Sequence, residues 1–360
     1  MKKLSYLILF SFLFPVSLTY AQKSELFFHY GFIFPHRKGV NHLIKRHVPA
    51  MEFNWFLQKY DENKQWYYQY NYPEKGIGMM WFDFGNPQQL GYGLSVYPFW
   101  NFYFSPNSAT LLSFKSAAGI GWVTKPFREE TNYKNILIGS YLNAFIHFAL
   151  NCRLRLSDRI FVSTGISFSH FSNGAYRMPN LGMNIPAIKA GMLVNIGEKN
   201  EYPVVEEAAF KKSKYFNLMI NGGVKEIYPL SRRKFPVMSL NVNYNWNYTP
   251  KSIVSAGLDL YHNSSYKTIF ENDSTMELKN YIGIEPSVVL GFGKIFGKTQ
   301  FQFQTGFYLY TYLPRFMNMY QRISIRREII PALFFDLSLK SHLFVADYIG
   351  FGIVYNWKHE

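Results

Sequence analysis

The sequence predicts an all-β protein, an antiparallel transmembrane β-barrel of 12 to 16 strands, and three observations point to this class. Hydrophobic residues make up 48% of the 360 residues, yet no apolar stretch beyond residue 21 reaches the roughly 20 residues that a spanning helix needs. Aromatic residues make up 19% of the chain, which is typical of barrels whose membrane interfaces collect aromatic side chains. Apolar and polar residues also alternate with a period of two, as in strands with one face in lipid.

The N-terminus is typical of a secretory signal peptide covering residues 1–21. Lys2 and Lys3 precede an apolar run over 4–18, and Thr19-Tyr20-Ala21 follows as a small-residue cleavage pattern. The run is too short for a good spanning helix, and no cysteine lies nearby to accept a lipid anchor. We therefore predict cleavage after Ala21, export, and a barrel over residues 22–360 in the cell outer membrane.

Charge and cysteine content limit the classes of partner and cofactor. The net charge of +15 includes Lys2 and Lys3, so the chain without its leader carries +13. For an exported protein, this charge favours a phosphate-bearing lipid of the outer leaflet, lipopolysaccharide, over nucleic acid. Cys152 is the single cysteine, which excludes an intramolecular disulfide, and the nine His have no paired metal-ligand spacing. The sequence therefore predicts neither a metal nor another cofactor.

Turn signals divide the body into an odd number of candidate strands. In chain order they lie near residues 24–34, 48–60, 64–72, 76–84, 89–104, 111–123, 136–154, 159–172, 185–197, 214–226, 234–248, 252–263, 281–293, 299–312, 317–326, 331–340 and 347–357. Bacterial single-chain barrels have an even number of strands, so we interpret residues 23–47 as a partly separate or plugging segment. The pattern leaves open one large barrel or two of eight strands.

The clearest strand runs from Met238 to Tyr248. One face carries Met238, Leu240, Val242, Tyr244, Trp246 and Tyr248, and the other carries Ser239, Asn241, Asn243, Asn245 and Asn247. Successive side chains of a strand point to opposite sides, so this pattern predicts lipid on one side and a hydrogen-bonded or wet interior on the other.

The strand near 159–172 carries the candidate chemistry. Its even positions Ile160, Val162, Ile166 and Phe168 are apolar, and His170 and Ser172 continue this predicted lipid-facing row. Two residues apart on one face means roughly 6.6 Å along the strand, so an imidazole nitrogen can approach a serine hydroxyl after side-chain rotation. Polar side chains directed towards lipid are costly unless they have a task, and this placement indicates chemistry on a lipid.

Around these residues the sequence resembles the outer-membrane lipid A 3-O-deacylase family, in its acyloxyacyl hydrolase-like branch of Bacteroidetes-type bacteria. The resemblance lies in His170-Phe171-Ser172-Asn173 and then Pro179-Asn180-Leu181-Gly182, and the deacylase-like core covers about residues 90–197. The family pattern is His-x-Ser-Asn followed by Pro-Asn-x-Gly-x-Glu. The resemblance implies an outer-membrane carboxylic ester hydrolase that removes an ester-linked acyl chain from lipid A.

Carried over residue by residue, the resemblance implies roles for the matching positions. Ser172 is the expected nucleophile and His170 the general base. Asn180, with Asn173 and the backbone amides after Ser172, is expected to stabilise the oxyanion. The departure is Asn184, which stands where the family has Glu: an amide can hold the histidine tautomer but cannot offset an imidazolium charge. The alternative acids by topology are Glu129 and Glu130, in the loop 126–135.

Other interpretations stay open at this stage. A non-catalytic barrel, such as a pore, a transporter or a structural protein, would use the same scaffold, with His170 and Ser172 as simple rim residues. His262 and Ser264 repeat the spacing in Tyr261-His262-Asn263-Ser264 but lack the Pro-Asn-x-Gly that follows, so we interpret them as structural. The acyl chain removed and the oligomeric state, including a homodimer, are not determined by the sequence.

Overall fold

The structure is a computed structural model that describes residues 21–57, 65–104, 110–196, 209–272, 283–312, 318–343 and 345–358. The predicted signal peptide, apart from Ala21, lies outside the described residues. The strands within them are β1 (Ala21–Gly31), β2 (Val48–Leu57), β3 (Glu74–Asp83), β4 (Tyr92–Tyr103), β5 (Thr110–Val123), β6 (Leu142–Arg155), β7 (Ile160–Ser172), β8 (Met183–Asn195), β9 (Ser213–Lys225), β10 (Phe235–Thr249), β11 (Ser252–Asn263), β12 (Ile284–Phe296), β13 (Thr299–Tyr308), β14 (Met319–Ile330), β15 (Leu333–His342) and β16 (Val345–Lys358).

The strands close into two antiparallel barrels of eight strands each, β1–β8 and β9–β16. The pairing of β1 with β8 closes the first barrel, and the pairing of β16 with β9 closes the second. The predicted all-β barrel class is confirmed, but the strands form two small barrels in place of one barrel of 12 to 16. By its contacts the chain divides into two units, and the segments 127–140 and 172–182 belong to the unit that contains the second barrel.

Two details of the predicted strand order are wrong. The segment 64–72 contains a short helix, α1 (Gln65–Gln69), where we predicted a strand. Its aromatic run permits either state, and the turn is closed locally by the Tyr72 N–H, which donates to the Tyr67 carbonyl oxygen at 2.7 Å. Without this extra strand the count becomes even. The interpretation of residues 23–47 as a partly separate or plugging segment is the second wrong detail, because β1 is a full member of the first barrel.

The other helices are a 3-10 turn (Lys38–Leu43) and α2 (Ser265–Asn272). Among the residues that the structure describes, no helix has both the length and the apolarity required to cross a membrane.

Polar, ion-paired side chains fill the interior of the first barrel. Glu52 is fully buried and accepts hydrogen bonds from Lys115, from Lys189 at 3.2 Å and from the Tyr97 hydroxyl at 2.8 Å. Glu25 lies nearby in the sheet and pairs with Arg153 at 3.1 Å. An eight-stranded barrel is just wide enough for side chains to fill, and a buried charge is tolerated only when it is paired. The interior is therefore a packed polar core.

Amides and Arg–Asp pairs fill the second barrel. The predicted alternation of β10 is confirmed, because Met238, Leu240, Val242, Tyr244 and Trp246 are exposed whereas Ser239, Asn241, Asn243 and Asn245 are buried. Asn243 donates to Asn217 at 2.9 Å. Arg322 pairs with Asp259 at 2.9 Å. This barrel also has an apolar outside and a polar inside, the pattern of a membrane barrel.

Most connections are shorter at one end of each barrel than at the other. In the second barrel, the connections at 250–251, 297–298 and 331–332 have two residues each, whereas the connections at the other end are longer at 226–234, 264–283 and 309–318 and have two residues at 343–344. In the first barrel, the connection between β6 and β7 is four residues long, whereas β7 and β8 are joined by the longer segment 173–182. Membrane barrels place short turns on the periplasmic side and long loops outside, so the end of β7 belongs to the long-loop end.

Candidate active site

The outer face of β7 leads directly to the predicted catalytic residues. Its exposed side chains occupy alternate positions, and the exposed set is Ile160, Val162, Thr164, Ile166 and Phe168. His170 and Ser172 continue this row at the strand end. Their positions in the alternation place both side chains away from the barrel interior, but His170 is half-buried and Ser172 is buried, so the exposed row ends at Phe168.

Phe171 fixes this orientation because it points the other way. It is fully buried in the first barrel, and its ring centroid lies 5.1 Å from that of Phe82 and 4.9 Å from that of Phe145. Gly121 leaves the room for the ring, since a Cβ there would lie 2.6 Å from Phe171 Cδ1. With residue 171 held inside, the pleat of the strand turns residues 170 and 172 outwards.

His170 and Asn184 form a cross-strand pair between β7 and β8. The two residues are direct partners in the register, and His170 Nδ1 lies 2.6 Å from Asn184 Oδ1. An amide oxygen is an acceptor, so the Nδ1–H of His170 donates to it and the lone pair is left on Nε2. This is the tautomer that a general base needs in order to take a proton at Nε2.

His36 lies against the other side of the Asn184 amide and was not predicted. Asn184 Nδ2 lies 3.3 Å from His36 Nδ1, a contact that orients the amide with its oxygen towards His170. Our interpretation of residues 23–47 as a plug concealed this residue. The available signal was the outer row of β1, Phe28 and Tyr30, which continues through exposed Phe32 and Phe34 towards residue 36.

Ser172 begins a loop that surrounds its hydroxyl with donors. Asn180 Nδ2 donates to Ser172 Oγ at 3.0 Å, the Gly174 N–H donates to the same oxygen at 3.2 Å, and the hydroxyl itself donates to Asn180 Oδ1 at 3.4 Å. Asn180 Oδ1 accepts the Asn173 N–H at 3.0 Å. Donors aimed at a reacting oxygen lower the cost of negative charge there, so this arrangement suits an activated serine.

The side chain of Asn173 holds the loop together. Its Nδ2 donates to Ser140 Oγ and to the Arg177 carbonyl oxygen, both at 2.9 Å, and its Oδ1 accepts the Arg177 N–H at 3.2 Å. All polar atoms of the amide are engaged in these bonds. The structure therefore gives Asn173 a scaffolding position, while Asn180 contacts the serine itself.

The two alternative acids lie at the tip of a small hairpin. Arg128 and Asn132 close it through backbone bonds, and Glu129 and Glu130 occupy the exposed turn between them. Asn184, the residue that the family pattern aligns with the acid, already accepts the hydrogen bond from Nδ1 of His170.

An apolar groove follows the same outer face. Its volume is about 650 Å³, and its lining includes two cross-strand pairs of β7 and β8, Ile166 with Ile188 and Phe168 with Pro186. The next pair along this ladder is His170 with Asn184. A hydrocarbon chain in the groove would thus lie in line with the imidazole, about one ladder step of roughly 6.6 Å away.

Within the described residues, no group of three or more His, Cys, Asp and Glu side chains is arranged to hold a metal ion. The site consists of an imidazole, a hydroxyl and amides.

Two family models match the chain. The family model described as "Lipid A 3-O-deacylase (PagL)" matches residues 51–192, and the model described as "Acyloxyacyl hydrolase, C-terminal domain" matches residues 214–359. The first match contains His170, Ser172 and Asn184. No curated protein matches the chain.

Solved structures give a weaker likeness. A five-substitution mutant of the Rh. blastica porin is 9% identical, with 93% of this chain and 99% of that chain covered and a TM-score of 0.18. A triple mutant of the Rhodopseudomonas blastica porin has the same identity, coverage and TM-score. Scores this low carry no argument about the present chain.

Fold and site together define a β-barrel with a candidate esterase constellation on its outer face. The two family models cover most of the chain, and the protein belongs to the lipid A 3-O-deacylase family, with the C-terminal domain of its acyloxyacyl hydrolases. The family supports a hydrolase that deacylates lipid A.

Proposed function

We propose that the protein is an outer-membrane serine esterase that removes one ester-linked acyl chain from lipid A of lipopolysaccharide. The observation that carries the proposal is the position of the His170–Asn184 pair, which extends the ladder of apolar pairs that helps to line the groove. A polar pair at this position on a lipid-facing surface calls for a functional explanation.

The first half of the reaction would transfer the acyl group to the enzyme. His170 Nε2 takes the proton of the Ser172 hydroxyl as Oγ attacks the ester carbonyl carbon. Asn180 and the backbone amides after Ser172 stabilise the negative oxygen of the tetrahedral intermediate. The bond between the carbonyl carbon and the sugar oxygen then breaks, and this oxygen takes the proton from His170. The acyl group is left as an ester of Ser172.

The second half would regenerate the enzyme with water. His170 takes a proton from water as the water oxygen attacks the acyl carbonyl, and it returns this proton to Ser172 Oγ as the ester bond breaks. The products are a free fatty acid and the deacylated lipid A. In both halves, Asn184 holds the imidazole through its carbonyl oxygen without compensating the positive charge.

The filled interiors support an enzyme over a pore. Glu52, Lys115 and Lys189 occupy the lumen of the first barrel, and buried Arg322 and Arg326 occupy that of the second. A conducting barrel needs a continuous aqueous path, which barrels of this strand number rarely provide.

The proposed location rests on the exposed apolar faces of both barrels. Such faces bury themselves in hydrocarbon, so we expect the protein in the outer-membrane fraction and a mobility on gels that changes on heating. Recovery as a soluble periplasmic species would contradict the membrane location.

The activity can be tested with purified protein and vesicles that contain lipid A. We expect release of free fatty acid by the unmodified protein and none above background by Ser172→Ala, while both remain folded by heat-modified mobility. Equal release from the two proteins would exclude Ser172 as the nucleophile, and no release from either would exclude the proposed function.

A further inference from the structure

The loop that carries Ser172 and Asn180 is held by residues far along the chain. Glu226 follows β9 directly and is almost completely buried, with 4% of its surface exposed. Its Oε2 accepts the Met178 N–H at 2.8 Å, and its own N–H donates to the Ala175 carbonyl oxygen at 2.8 Å. One residue thus holds the middle of the loop through both side chain and backbone.

Lys234 completes this attachment. Its Nζ donates to Glu226 Oε1 at 2.9 Å and to the carbonyl oxygen of Tyr176, and it lies 3.7 Å from the centroid of the Tyr176 ring. A buried carboxylate is costly unless it is paired and hydrogen-bonded. The Glu226 carboxylate meets that requirement, because it accepts the Met178 N–H and pairs with the Lys234 ammonium, which also binds the loop at Tyr176.

The attachment lies next to the residue that contacts the nucleophile. Met178 precedes Pro179, which has no N–H, and then Asn180, whose amide donates to Ser172 Oγ. The Met178 N–H bond to Glu226 therefore fixes the backbone two residues before Asn180. A loop movement of about 1 Å at a reacting group can cost about 10²-fold in rate.

Gly174 shows that the loop also fits closely against β16. It has a φ of +62°, and a Cβ built there would lie 2.3 Å from Ile349 Cγ1. Contacts at residues 174, 175, 176 and 178 thus come from β16 and from the connection between β9 and β10, and all belong to the unit of the second barrel.

We propose that Glu226, paired with Lys234, is a positioning residue that holds the 172–182 loop in the conformation required for deacylation. It touches neither the ester nor Ser172, and it acts through Met178 and Asn180. The C-terminal half of the chain thereby contributes to the rate of the reaction. This proposal rests on the proposed function, so it is tested on the same reaction.

The test compares Glu226→Gln and Glu226→Leu with the unmodified full-length protein, with kcat and KM measured for fatty acid release from lipid A vesicles. Gln keeps one acceptor but must choose between Met178 and Lys234, so kcat should fall about 10-fold. Leu leaves the Met178 N–H without its partner, so kcat should fall about 10²-fold. KM should change little in both variants, because the substrate does not contact residue 226.

The matched control is Glu271→Gln, which removes a carboxylate from an exposed pair with Lys267 in the same unit and should leave kcat unchanged.

The outcomes separate this proposal from the one on which it rests. An inactive unmodified protein would overturn the proposed function, and the positioning role with it. An active unmodified protein with unchanged kcat in both Glu226 variants would overturn the positioning role alone, as would a loss confined to KM. If the Leu variant loses its heat-modified mobility because it does not fold, the Gln variant decides: a reduced kcat in a folded protein supports the proposal, and an unchanged one refutes it.

Discussion

The ends of β7 and β11 carry the same short pattern, a histidine followed two residues later by a serine, in very different surroundings. His170 faces Asn184 across the sheet, whereas the cross-strand partners of His262 are the apolar Met238 and Ile284. Ser172 Oγ accepts hydrogen bonds from Asn180 and from the Gly174 N–H and donates to Asn180 Oδ1, whereas Ser264 Oγ donates to the Pro236 carbonyl oxygen at 2.8 Å. The difference teaches that neighbours across the sheet and in the following loop decide whether such a pair can carry chemistry.

The residue between the histidine and the serine also differs, being Phe171 at the end of β7 and Asn263 at the end of β11. Phe171 lies in the aromatic packing of the first barrel and fixes the orientation of its two neighbours. Asn263 instead accepts the N–H of Ser265 at 3.1 Å, at the start of α2. The end of β11 is therefore built to begin a helix, and the end of β7 is built to present two side chains.

The largest expected effect separates the two strand ends. Ser172→Ala and His170→Ala should each lower fatty acid release by about 10⁴-fold or more, because each is needed for the same step. Ser264→Ala and His262→Ala are the matched controls and should keep full activity. The rate of release from lipid A vesicles measures this, and a comparable loss in the control pair would remove the distinction between the two ends.

A second effect concerns the barrel interior that supports the end of β7. Glu52→Gln leaves Lys115 and Lys189 without their shared carboxylate, and breaking a buried charge arrangement of this kind costs about 3–5 kcal/mol. In the second barrel, Asp259→Asn removes the carboxylate that pairs with a single cation, Arg322. The Arg322 side chain keeps its hydrogen bond to Gln304 at 2.9 Å, so this loss should be smaller.

The free energy of unfolding in urea should therefore fall more for Glu52→Gln than for Asp259→Asn. Equal losses would show that the two interiors are supported in the same way, in spite of their different composition.

The third effect tests the amide of Asn184. Asn184→Ala frees the imidazole of His170, and we expect kcat to fall by about 10²-fold. Asn184→Glu restores a carboxylate beside the imidazolium and should raise kcat above that of the unmodified protein. Unchanged kcat in both variants of an active enzyme would show that another group orients His170.

The smallest effect is expected at the exposed hairpin. Glu129→Ala and Glu130→Ala remove side chains that lie in an exposed turn, so fatty acid release should remain within experimental error of the unmodified rate. A strong loss in either variant, together with silent changes at residue 184, would assign the acid to this loop.

Local patterns predicted much of this comparison. The period of two in β7 and β10 is a property of neighbouring residues, so strand existence and facing follow from the sequence. The His170–Asn184 pair follows from the hairpin that joins β7 to β8. Barrel closure by β1 with β8, and by β16 with β9, depends on strand pairing over long sequence distances, which no local pattern encodes.

The same limit explains what was missed at the site. His36 reaches Asn184 from a sequence separation of 148 residues, and Glu226 reaches Met178 from a separation of 48. Neither carries a local motif. His36 reaches Asn184 because β1 pairs with β8, and Glu226 reaches Met178 because the connection after β9 contacts the 172–182 loop. The aromatic segment at 64–72 was ambiguous for a different reason, since short apolar runs do not distinguish helix from strand.

The most direct test of the central claim is the mass of lipid A extracted from cells that produce either the unmodified protein or Ser172→Ala at equal levels in the outer membrane. If the end of β7 performs deacylation, lipid A from the first cells should lack one acyl chain and lipid A from the second should retain it. Identical lipid A masses from the two cell types, with both proteins folded in the membrane, would contradict the account.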